Sequence, residues 1–141
     1  MSLLLLFNQP PYHRTLLDLA DRLVLNEPAV AVVAAHMACE IYTEQIISAA
    51  FKKRGMTDLE DAVFELFPSN NLANDRVRTV YVVLTGDRIH DAPFWARFKD
   101  SSKLRNGAVH HGKRVLRDEG SATCAVAREF VAHLELVAKA L

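Results

Sequence analysis

Apolar residues recur at helical spacing along most of the chain, and the breaks between these runs mark out a series of helices. Pro10-Pro11 start a first helix running to about Leu25, with Leu16, Leu17, Leu19, Ala20 and Leu23 as its apolar side. Asn26 and Pro28 mark a stop and a restart, because asparagine caps helices well and proline is tolerated in a first turn. The second helix is predicted from about Pro28 to Lys53, with Val30, Val33, Ala34, Met37, Ala38 and Ile41 in register and Gly55 as its C-terminal cap. Thr57-Asp58-Leu59-Glu60 has capping-box spacing and opens a short helix to about Phe67. After a loop at Pro68-Ser69-Asn70-Asn71, a helix is predicted from Leu72 to Ile89, with Val77, Val80, Tyr81 and Leu84 in register. Asp91-Ala92-Pro93 caps another helix carrying Phe94, Trp95 and Phe98. Gly120-Ser121 opens the last, where Val126, Phe130, Leu134, Val137 and Leu141 form a stripe. The predicted fold is all-α, one compact bundle of about five to six helices spanning residues 1–141.

Composition supports one globular domain: 141 residues, 50% hydrophobic, with only 5 Gly and 5 Pro, which suits helices better than a many-turned β fold. The formal net charge of zero exerts no global pull toward nucleic acid or membrane. Locally the balance shifts. Arg97, Lys99, Lys103, Arg105, Lys113, Arg114 and Arg117 face a single acid, Asp100, over that stretch, whereas Asp58, Glu60, Asp61 and Glu65 cluster in the short helix. A basic run of this kind is either a nucleic-acid footprint or a solvated face. Cys39 and Cys124 have no partner spacing and read as buried thiols in a reducing compartment, and no zinc-ligand pattern exists. The apolar start, Ser2 to Phe7, and the apolar run Ala29 to Cys39 are both too short to span a bilayer, so a soluble, cytoplasmic protein without cofactor or metal is expected.

Chemistry concentrates in Leu104-Arg105-Asn106-Gly107-Ala108-Val109-His110-His111-Gly112. Arginine can hold a phosphate in its planar fork of donors, and histidine titrates near neutrality and can move a proton. The spacing alone arises readily by chance, and Arg128 and His133 repeat it. That second pair lies within an uninterrupted helix, where residues five apart point about 140° from each other, so it is set aside as surface or edge residues. Around Arg105 an amide follows directly, two histidines are adjacent, the neighbours are basic, and Gly107 and Gly112 let the backbone leave helical geometry. The bland reading is that Arg105 and Asn106 end one helix and the histidines sit idle in a loop.

Arg105-Asn106-Gly107-Ala108-Val109-His110, ahead of a terminal amphipathic helix in a small all-helical chain, resembles the HEPN superfamily, whose signature is an arginine and a histidine separated by four to six residues. Ala34 to Glu40 resembles that family's long core helix, which often carries an acid. The likeness covers most of the chain by architecture but only the segment around Arg105 by motif. It implies a homodimer with two motifs facing each other and, in active members, metal-independent endoribonuclease activity; many bacterial members are toxins or defence proteins paired with an antitoxin. Some members keep the fold and only bind nucleotide, nucleic acid or a partner protein.

The expected reaction is attack by the RNA's own 2′-hydroxyl, with a histidine as general base and a histidine, of the same or the second protomer, as general acid. Arg105 would stabilise charge on the phosphorane, and Asn106 would orient His110 or bond the phosphate. The products would be a 2′,3′-cyclic phosphate and a 5′-hydroxyl, and DNA would resist. His110 fits the commoner family spacing, and His111 is the alternative. Lys103, Lys113 and Arg114 are the candidate substrate contacts. Glu40 shares a stripe with His36 and Glu44 and either supports the motif or belongs to a polar seam. Trp95, Phe94 and Phe98 could stack on bases, but their spacing favours the core.

Overall fold

A computed structural model describes residues 10–141; the apolar start at Ser2 to Phe7 lies outside them. The described chain is all-helical: α1 (Tyr12–Leu23), α2 (Pro28–Lys53), α3 (Thr57–Leu66), α4 (Asp75–Thr85), a 3-10 turn (Ile89–Asp91), α5 (Trp95–His111) and α6 (Arg117–Ala140).

α2 is the axis of the bundle. Pro28 sits in its first turn, where the missing N–H costs nothing. Gly55, at φ 68, ends it, with Met56 N–H donating to Phe51 O at 2.9 Å. Its many alanines let neighbours approach closely, so it packs against α1 and α6 along much of its length and against α3, α4 and α5 elsewhere. By length and composition α2 could cross a membrane, but 56% of its most apolar window is buried inside the bundle. A helix apolar on most sides is what a central position requires. The core it organises includes Leu16, Ile47, Phe98, Phe130 and Leu134, with the Phe98 and Phe130 rings stacked at 4.4 Å. Phe94 and Phe98 are therefore core residues, as their spacing predicts, while Trp95 is half-buried beneath the Arg78 guanidinium, 5.3 Å from the ring centroid. Cys39 and Cys124 are both free and buried, and burial pushes both thiols up, Cys124 to about 11.

Several boundaries differ from the expected ones. α4 is shorter at both ends: Asn74 Oδ1 accepts from Arg76 N and Val77 N, and Gly86 adopts φ 74. Leu72 and Ile89 continue the apolar spacing only because they anchor chain outside the α-helices in the core. Thr57 does not form a capping box; Met56 takes the cap position without a side-chain bond. α6 starts three residues earlier than expected, where Glu119 Oε1 accepts from Leu116 N at 2.9 Å. Gly120 lies inside α6, where a Cβ would sit 3.1 Å from both Pro28 and Val24, so the close approach there favours glycine.

Candidate functional site

The arginine–histidine segment does not follow a helix; it is the second half of α5. Gly107 is helical and buried, and its missing Cβ leaves room for the Lys113 stem, which would lie 3.0 Å from a methyl there. The chain leaves helical geometry only at Gly112, at φ 60, where Lys113 N–H donates back to Gly107 O. Thus Arg105 and His110 stand five apart on a regular helix, about 140° from each other by ideal geometry. They diverge on their helix by the same angle as Arg128 and His133 do on α6. Asn106 and His110, four apart, do share a face.

What separates the two pairs is their surroundings. Arg128 is neutralised by Asp18 at 2.9 Å and by Asp21. Arg105 has no carboxylate within ion-pairing distance among the described residues; its one side-chain bond is to Asn106 Oδ1 at 3.1 Å, and its buried Nε–H has no partner. His133 is an edge residue, half-buried, and it has a partner. Its Nε2 lies 2.8 Å from Asp87 Oδ2, which also accepts from the Tyr81 hydroxyl at 2.7 Å, joining the chain after α4 to α6. No spacing rule connects residues 46 positions apart, so only the fold reveals this cluster.

Arg105, Asn106 and His110 line one groove of about 470 Å³ with Lys99, Ser102 and Lys103. Its opposite wall is the loop from Pro68 to Asn74. No aspartate or glutamate lines it, so basic and neutral donors dominate its field. Lys113 and Arg114 are elsewhere, in a cleft of about 860 Å³ formed with residues 25–29. His111 is exposed at the end of α5 and does not line the groove.

Behind Arg105 lies the polar part of α2. His36 is 1% exposed. Ser101 donates its hydroxyl to Phe98 O at 2.7 Å, so His36 Nε2 must carry the proton and donate to Ser101 Oγ at 3.0 Å. Its Nδ1 is left without a partner, as is Glu40 Oε1. Burial, helped by the Arg105 charge, holds His36 down at about 4, and burial raises the Glu40 carboxyl against the opposing pull of Arg105. His36 is therefore neutral near pH 7 and closed to solvent, unsuited to proton transfer with a ligand. The expected stripe divides: His36 is core, Glu40 stands near Arg105 without an ion pair, and exposed Glu44 accepts from Asn70 Nδ2. Among the described residues no three His, Cys, Asp or Glu side chains are placed to hold a metal ion.

Compared with protein-family models, curated proteins and solved structures, the chain matches none of them.

Proposed function

We propose that this chain is a metal-independent endoribonuclease of HEPN type, acting as a homodimer in the cytoplasm as a toxin or defence component held in check by a cognate antitoxin protein. The observation that carries this reading is the carboxylate-free groove lined by Asn106, His110 and Arg105, which is unpaired with any acid among the described residues. A half-buried guanidinium that makes no ion pair among the described residues can take an external anion on its exposed donors. The scissile phosphate would take that place, His110 would move the proton, and Asn106 would hold the phosphate or the ring. Because one helix turns Arg105 and His110 apart, the reaction suits a site completed by the second copy. Val30 and Met37 on α2, and Val109 one turn beyond Arg105 on α5, are exposed apolar side chains that an interface there would cover.

A second reading is a non-catalytic module that binds nucleotide, nucleic acid or a partner protein. The uninterrupted α5 favours it, since in one chain that helix does not aim Arg105 and His110 at a common point.

Incubation of total RNA with purified protein in excess EDTA tests the enzyme reading. Cleavage leaving 2′,3′-cyclic phosphate ends is expected, surviving in His111→Ala and lost in His110→Ala. Intact RNA under these conditions, with binding retained, would favour the second reading.

A further inference from the structure

The groove extends past the motif. On α5, Lys99, Lys103, Asn106 and His110 follow one another at three- and four-residue steps, a stripe about 16 Å long on one helix face, with Ser102 beside Lys103. Ser102, 4% exposed, lines the groove beside Lys99 and Lys103. Asn71 Oδ1 accepts from Ala73 N at 2.9 Å, which fixes its amide, so its Nδ2 donates to Ser102 Oγ at 2.7 Å. Ser102 thus accepts from Asn71, and no acceptor for its own hydroxyl proton lies within bonding distance among the described residues. Asn74 is oriented in the same way: its Oδ1 caps α4, which leaves its NH₂ as a donor on the opposite wall. Two ammonium groups, a buried hydroxyl with a spare proton and a residue with an amide NH₂ therefore line one groove whose lining holds no carboxylate. This set of donors recognises an oxyanion.

We propose that this end of the groove is a phosphate subsite for single-stranded RNA. Lys99, Lys103, Ser102 and Asn74 hold the phosphate next to the one engaged by Arg105, Asn106 and His110. Walls on both sides and a volume of about 470 Å³ give room for a short stretch of one strand. The identity of the ligand rests on the RNA reading of Arg105; the anion site itself does not.

The test compares wild type with the double variant Lys99→Gln/Lys103→Gln, both positions being exposed and outside the core. The first probe is a single-stranded 2′-O-methyl oligoribonucleotide, which cannot be cut. The double variant should bind it about tenfold more weakly, with the slope of log affinity against log salt reduced by roughly 0.7, the share of one phosphate. Equal affinity and slope in the two proteins would overturn the subsite and leave the nuclease reading untouched. The second probe is inorganic phosphate, followed by backbone amide NMR. Shifts centred on Ser102 and Asn74 in the wild type, absent from the double variant, are expected. If those shifts appear but RNA is neither bound nor cut, the anion subsite stands and the RNA reading fails; no shift there overturns the subsite.

Discussion

Arg105→Ala is expected to lower RNA cleavage by roughly 10²–10³-fold, the loss that follows removal of one preorganised charge-stabilising donor from a reaction centre. The same substitution should leave the fold in place. Arg105 makes no ion pair among the described residues, and its single side-chain bond is to its neighbour Asn106. Its charge does act on the buried groups behind it, lowering both His36 and Glu40. Arg105→Lys separates the two roles: it keeps the charge that His36 and Glu40 sense but loses the planar fork, so activity should return only in part. Cleavage rates and urea unfolding measured on the same three proteins check this. A loss of activity that merely tracks a loss of stability would contradict a direct role.

The second large effect is on stability and comes from His36. Burial holds its folded pKa at about 4, below the 6.5 it has in an unfolded chain. Below pH 6.5 the unfolded chain takes up a proton that the folded chain refuses until about pH 4. The contribution of His36 is therefore full above pH 6.5 and is lost progressively as the pH falls from 6.5 to about 4, amounting to about 3 kcal/mol. His36→Gln can still donate to Ser101 but does not titrate, so its stability should fall less steeply over that window. Urea midpoints at pH 7, 5.5 and 4.5 for both proteins measure the difference. Parallel acid slopes would mean that His36 is protonated in the fold, contrary to its burial and its hydrogen-bond pattern.

The helices that depend on tertiary burial of plainly apolar residues are legible from spacing alone. α2 runs from Pro28 to Lys53 with Gly55 beyond it, as predicted, because a central helix shows both its apolar periodicity and its end signals. α5 is harder to read. The buried residues in it are Phe98, Ser101, Ser102 and Gly107, and two serines and a glycine do not register as an apolar stripe. The segment around Arg105 consequently looks like a loop, and Gly107 looks like a break when it is a close-packing position. Apolar spacing also overextends α4, since it cannot tell a buried helical leucine from Leu72 in a loop. Of the candidate site, Arg105, Asn106, His110 and Lys103 were legible as chemistry and do share a groove. The role of the 68–74 loop as its second wall was not, because the contact that pins it, Asn71 to Ser102, joins positions 31 apart.

Mixing Arg105→Ala with His110→Ala, in EDTA and with an RNA substrate, tests the central claim most directly. Each variant alone should be inactive beside a cleaving wild type. Random re-pairing should restore about a quarter of wild-type cleavage, since about half the dimers are mixed and each mixed dimer holds one intact site of two if Arg105 acts with the His110 of the second copy. A mixture as inactive as its parts would contradict a site shared between copies, and a wild type that cleaves no RNA would contradict the enzyme itself.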